Sequence, residues 1–128
     1  MKLLLDTHTF IWWDSDPQQL SPRVISLCSD TGNDLFVSAA SLWEMQIKQN
    51  IGKLNLRISL SDMVHRQQIT NNLFVLAIHQ DHIFGLENLP NIHKDPFDRI
   101  LIAQANTEGM LLLSADTIFS SYPVQVIW

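Results

Sequence analysis

Along the chain, short fully apolar runs alternate with longer segments whose apolar positions recur at helical spacing. The first pattern predicts buried strands and the second amphipathic helices. Leu3–Leu5 predicts a strand ending at Asp6, and Thr7–Trp13 a short helix directly after it. Leu20-Ser21-Pro22 carries a helix start, with Ser as N-cap and Pro at the first helical position, for a helix reaching about Asp30. Thr31–Asp34 is a turn and Leu35–Val37 a second strand. Ser38 is placed to cap a helix through Ile51, with Leu42, Met45 and Ile47 inward and Gly52 as its stop. A further helix is expected over 61–70, a third apolar run over 73–78, weak helix over 79–87 and loop over 88–94. Asp95-Pro96 opens a helix ending at Glu108-Gly109, followed by a strand over 110–113, a helical turn over 117–121 and a last strand over 124–127. Four or five short strands separated by helices predict an α/β chain with a mostly parallel sheet in three layers.

Composition narrows this picture. The chain has 128 residues, 46% of them hydrophobic, which is one domain's worth of core and excludes disorder. Charged residues are 16%, against about 25% in an ordinary soluble domain. This shortage predicts an apolar surface covered by a partner. The net charge of −5, with no basic run, excludes nucleic-acid binding by phosphate neutralisation alone. A single cysteine, Cys28, excludes an internal disulfide and a cysteine-based zinc site. The apolar start breaks at Asp6, too early for a signal-peptide core, and no window approaches a membrane span. A soluble, cytoplasmic, single-domain protein spanning 1–128 is expected.

In an open parallel sheet, ligands bind beyond the carboxyl ends of the strands, where the strand order reverses. Asp6 ends the first strand, and Asp116 follows the Leu111–Leu113 strand closely. Asp98 lies in the first turn of the helix before that strand, and Glu44 lies in the helix after the second. These four acids are expected to converge on one rim. Clustered carboxylates repel each other and raise their pKa values, a cost that a hard divalent cation removes. Removing those four from the net charge leaves only −1 on the rest of the chain. Mg²⁺ or Mn²⁺ held there would suit phosphodiester hydrolysis, by acidifying water and neutralising phosphoryl charge.

Each acid also has a structural reading. Asp6 and Asp116 are placed to cap the helical turns after them. Glu44 fits a solvated helix face, and Asp98 stands three residues after Asp95, a capping spacing. Asp95 directly precedes Pro96, which makes Asp95 the expected N-cap and leaves Asp98 free to face the rim.

The segments Leu3-Leu4-Leu5-Asp6-Thr7-His8, Val37-Ser38-Ala39-Ala40-Ser41-Leu42-Trp43-Glu44, Asp95-Pro96-Phe97-Asp98-Arg99-Ile100-Leu101-Ile102-Ala103-Gln104-Ala105 and Leu112-Leu113-Ser114-Ala115-Asp116 together resemble the successive motifs of the PIN domain. More narrowly they resemble the VapC-type toxins of type II toxin–antitoxin modules. The resemblance spans essentially the whole chain, with Ser114 standing where many members carry Thr. It implies a three-layer α/β/α PIN-like fold and a magnesium-dependent ribonuclease, neutralised by a cognate antitoxin and usually dimeric. Asp6, Glu44, Asp98 and Asp116 match the family's acidic positions, which implies that they are the catalytic and metal-binding residues.

Two rivals are weighed against this reading. A phosphotransferase of the haloacid-dehalogenase type would use Asp6 as nucleophile, but such enzymes carry a second Asp two residues on, where this chain has His8. A degenerate PIN module would bind RNA or protein without cleavage, against which stands the retention of all four acids. Among other residues, Thr7 and Ser114 are placed either to hydrogen-bond site carboxylates or to cap the backbone in the ordinary way. Arg99 is a candidate phosphate contact or simply a helix-surface residue, and Lys48, Lys53 and Arg57 a candidate RNA path or simply a solvated face. His8, close to Asp6, is a candidate to hold a water or phosphate, with packing the favoured reading. His79 and His82 are expected at the surface for want of a third metal ligand. Trp12, Trp13, Trp43 and Trp128 are expected mainly in the core. Adjacent Trp12 and Trp13 cannot point the same way, so one of the pair is a candidate partner contact.

Overall fold

Three leucines in a row can all be buried only if both faces of their strand are covered, and Leu3, Leu4 and Leu5 are each fully buried. They form β1 (Lys2–Leu5) in a computed structural model that describes residues 1–128. Around β1 the chain builds a sheet from β2 (Asp34–Ser38), β3 (Phe74–Leu76), β4 (Leu111–Leu113) and β5 (Val126–Ile127). The strand order is β3-β2-β1-β4-β5, and every neighbouring pair is parallel. Leu5 stands opposite Val37 on one side and Leu113 on the other. Parallel pairing requires a crossover between strands, which the helices supply: α1 (Thr7–Ser15), α2 (Pro22–Ser29), α3 (Ala39–Asn50), α4 (Leu60–Asn71), α5 (Gln80–Gly85) and α6 (Pro96–Glu108).

Alternation along β1 divides the core. Leu3 and Leu5 join Phe10 of α1, Val24 of α2, Met45 of α3 and Met63 of α4 on one face. Leu4 joins Leu101, Ile102 and Ala105 of α6, with Phe119 and Tyr122, on the other. The result is helices, sheet, helices, as the periodicity predicts. The chain leaves β1 toward β2 and β3 on one side, then returns to add β4 and β5 on the other, so the order reverses between β1 and β4. That reversal opens the crevice where parallel sheets hold their ligands. No helix is long and apolar enough to cross a membrane.

The start signals act as read. The Ser21 side chain accepts from Val24 N at 3.1 Å and Ser38 from Ala40 N at 3.0 Å. Gly109 ends α6 with φ +66°, in the left-handed region that glycine enters at least cost. Three side-chain expectations are corrected. Ile47 is 38% exposed, because two residues from buried Met45 lies the opposite side of a helix. Trp43 is 61% exposed for the same reason, its ring edge-on to Phe97 at 5.3 Å. His82 is fully buried rather than at the surface, because its ring finds partners inside. Its Nδ1 accepts from His79 N at 3.0 Å, and its Nε2 lies 3.1 Å from Glu108 Oε1 on α6.

Candidate active site

Asp6 leaves the end of β1 at the point of strand reversal. Its backbone N–H continues the sheet ladder to Leu113 O at 3.1 Å, and its side chain caps α1, accepting from Thr9 N at 2.8 Å. The second carboxylate oxygen accepts a hydrogen bond from Ser114 Oγ, just past the end of β4. Ser114 Oγ in turn accepts from Asp116 N at 3.0 Å. One hydroxyl thus joins the two acids that end neighbouring strands. Asp6 is 6% exposed, and burial pushes its carboxyl above the ordinary value despite the hydrogen bonds from Ser114 and Thr9 and the nearby His8. Asp6 and the exposed Asp116 line a small cavity with His8, Trp12 and Ala115. His8 packs its ring 5.8 Å from Trp12.

Asp98 enters from the other face. Asp95 is the N-cap of α6, its Oδ1 accepting from Phe97 N at 2.9 Å and Asp98 N at 3.1 Å. Pro96 at the first helical position fixes the turn, so Asp98 stands at the carboxyl edge of the sheet with its side chain released from capping. Burial raises its pKa, the negative charges of Asp95 and Asp116 raise it further, and His93 opposes them. Asp98 therefore feels the charge of Asp116 across the crevice.

Glu44, in the second turn of α3, is tied to the same rim by Thr7, whose hydroxyl donates to Oε1 at 2.7 Å. Its other oxygen lies 3.0 Å from Lys48 Nζ, one turn along α3. All four acids thus stand at the carboxyl ends of the strands, spread along the crevice rather than drawn around a point. No three His, Cys, Asp or Glu side chains are close enough to enclose one ion. Thr7 and Ser114 do hydrogen-bond site carboxylates, as the sequence suggests.

Two residues without a sequence signature complete the site. His93 Nε2 lies 3.0 Å from Asp98 Oδ2, and His93 Nδ1 lies 2.6 Å from the Tyr122 hydroxyl. Hydrogen bonding to Asp98 is the main cause that raises the His93 pKa. The available signals were faint: a histidine two residues before Asp95-Pro96, and the only tyrosine of the chain. Arg99 spends Nη1 on Pro90 O at 2.8 Å and on the Tyr122 hydroxyl at 3.1 Å, which makes that nitrogen an anchor for the loop before α6. Lys48 pairs with Glu44, while Lys53 and Arg57 lie exposed between α3 and α4. Cys28 takes no part in this chemistry, since burial pushes its thiol up to about 11.

The family model of the PIN domain matches residues 3–125. The chain is a PIN domain protein. A curated relative, Ribonuclease VapC22 of Mycobacterium tuberculosis, is 27% identical over 121 residues, covering 94% of this chain and 91% of that one. Solved structures similar to this PIN domain include VapBC2 from Rickettsia felis bound to a DNA fragment from its promoter, at TM-score 0.76 and 14% identity over 99% of this chain and 98% of that one. DNA-bound VapBC from Salmonella typhimurium matches at TM-score 0.68 and 14% identity, over 99% and 97% of the two chains. At these identities the likeness establishes the fold, and it agrees with the five-stranded parallel sheet between helices described above.

Proposed function

We propose that this chain is a metal-dependent endoribonuclease, a single nuclease domain over 1–128, and the toxin of a type II toxin–antitoxin module. It hydrolyses RNA phosphodiester bonds in the cytoplasm, acts as a homodimer and is neutralised by a cognate antitoxin. Similarity to a ribonuclease over most of the chain and to the VapBC structures supports this reading. The observation that carries it is the rim itself. Asp6 and Asp98 are carboxylates whose burial penalises their charge, and Asp95 and Asp116 add further negative charge beside Asp98. Such a rim repels a phosphodiester until a cation changes its sign.

No three of the candidate ligands Asp6, Glu44, Asp98 and Asp116 enclose one ion. Their carboxylate oxygens nonetheless suit a hard divalent cation such as Mg²⁺, which keeps several waters and needs only one or two carboxylates. Mg²⁺ or Mn²⁺, when bound, supplies charge neutralisation for the phosphoryl oxygens and acidifies water. The chain's own residues hold the ligands still. Thr9 N–H and Ser114 Oγ fix the two oxygens of Asp6, and Thr7 fixes Glu44. Rigid support of this kind preserves the orientation of a charged ligand.

Incubating the purified protein with total RNA tests the reading: fragments are expected with Mg²⁺ or Mn²⁺ and none with EDTA. Intact RNA under all conditions overturns it. A second reading, a PIN module that binds without cutting, is favoured by the spread of the acids and by the pairing of Glu44 with Lys48. That reading expects no binding heat on Mn²⁺ titration by calorimetry.

A further inference from the structure

The side chain of Asp98 is anchored through His93. The anchor has a definite direction, which follows from counting the bonds at the Tyr122 hydroxyl. That hydroxyl accepts from His93 N at 3.1 Å and from Arg99 Nη1 at 3.1 Å. A tyrosine oxygen has two acceptor positions and one proton. Both acceptor positions are filled by N–H groups that can only donate, so the proton goes to an acceptor. His93 Nδ1 lies at 2.6 Å, whereas the His93 carbonyl oxygen lies at 3.5 Å. Nδ1 therefore accepts, and the neutral ring carries its hydrogen on Nε2, 3.0 Å from Asp98 Oδ2.

We propose that His93 is a positioning residue for Asp98, locked by Tyr122 and Arg99 in the tautomer that donates to one carboxylate oxygen and leaves the other for a divalent cation. The inference rests on the ribonuclease reading above. Three chain segments meet in this lock: the loop before α6, the first turn of α6, and the end of the helical turn Thr117–Ser121, where Tyr122 follows. Asp95 fixes the Asp98 backbone by accepting its N–H, but capping leaves the carboxylate free to rotate. The ring removes that freedom. Arg99 reinforces the lock twice, through the Tyr122 hydroxyl and through Pro90 O, which ties the loop carrying His93 to α6.

Four measurements on the full chain test the lock. In metal-free protein, long-range ¹⁵N–¹H spectra of the imidazole should give the Nε2–H pattern for wild type and a tautomer mixture for Tyr122→Phe. Calorimetric titration should find Mn²⁺ binding about 10–100-fold weaker in His93→Ala, the range for losing an outer-shell partner. His93→Gln, whose amide N–H can replace the Nε2 donor, should recover most of that loss. RNA cleavage should fall in kcat with KM unchanged, while the melting temperature in EDTA identifies any variant that merely fails to fold. An Nδ1–H tautomer in wild type overturns the proposal. Wild-type Mn²⁺ affinity in folded His93→Ala also overturns it, provided wild type itself binds Mn²⁺ and cuts RNA. Should wild type neither bind Mn²⁺ nor cut RNA, the ribonuclease reading fails first and the inference falls with it.

Discussion

Asp95 and Asp98 differ in what their oxygens already do. Asp95 Oδ1 is engaged by two backbone N–H groups at the start of α6, and Asn caps a helix about as well as Asp. Asp95→Asn is therefore expected to fold and keep most cleavage activity. Asp98→Asn, which removes the charge of a proposed metal ligand, should fold but lose more activity than the about 10–100-fold that an outer-shell change costs. Parallel assays on one RNA substrate, with circular dichroism for folding, separate the two. Activity in Asp98→Asn and none in Asp95→Asn would reverse the assignment. Asp6 gives a second contrast. Its ionised form is penalised by burial, but Asn supplies only one of the two acceptors used by Thr9 N–H and Ser114 Oγ. The melting temperature of Asp6→Asn in EDTA therefore serves as the reference for its response to metal. The same variant should lose most of the stabilisation by Mn²⁺, which amounts to about 2.7 kcal/mol when the ion is at 100 times its Kd. A wild-type melting curve indifferent to millimolar Mn²⁺ contradicts the site.

At the level of elements, α1 and α4 are joined by one carboxylate. Asp14 Oδ1 accepts from Gln67 Nε2 at 2.7 Å and from Arg66 Nη2 at 2.6 Å. Arg66 is half exposed, and a screened ion pair of that kind contributes little. The bond to buried Gln67 is the stronger tie, and Asp14→Ala should cost about 1.5–3 kcal/mol in urea unfolding. Burial acts to raise the Asp14 pKa, but hydrogen bonds from Arg66, Gln67 and Ser15 outweigh it and lower the pKa below 3.8. A carboxyl lowered in the folded state stabilises the fold above its unfolded pKa and loses that contribution as pH falls through the folded value. The stability gap between wild type and Asp14→Asn should accordingly close below pH 3.8. A constant gap down to the acid transition would show that the Asp14 charge is not involved. The end of α6 supplies a simpler test. Gly109 has φ +66° and open space around a would-be Cβ, so Gly109→Ala meets only backbone strain, about 1 kcal/mol.

For the molecule as a whole, the low charge content is matched by exposed apolar side chains. Trp43, Ile51, Ile69, Ile83 and Phe84 are each more than half exposed. Buried area of this chemistry drives association, and light scattering at micromolar concentration is expected to give a dimer. A monomer across that range contradicts the dimer. By contrast, the Trp12 and Trp13 pair is largely used within the chain, both rings packing against the core and Trp12 standing 6.0 Å from Trp128.

What the sequence determined by itself was local. Leu3–Leu5, Ser21-Pro22, Ser38 and Asp95-Pro96 specify strand and helix starts through burial period and backbone donors within a few residues, and those elements form where the pattern puts them. The acids at strand ends and helix starts were legible for the same reason, because parallel topology sends every such end to one rim. Tertiary structure decided what depends on contacts between distant segments. It turned His82 inward, since Glu108 on another helix completes its hydrogen bonding. It made Ser114 the link between Asp6 and Asp116 by bringing β4 beside β1. It gave Asp98 its partner, because His93 is held by a tyrosine 29 residues farther along the chain. A period or a cap signal carries no record of such a pairing, since its energy exists only once the two segments meet.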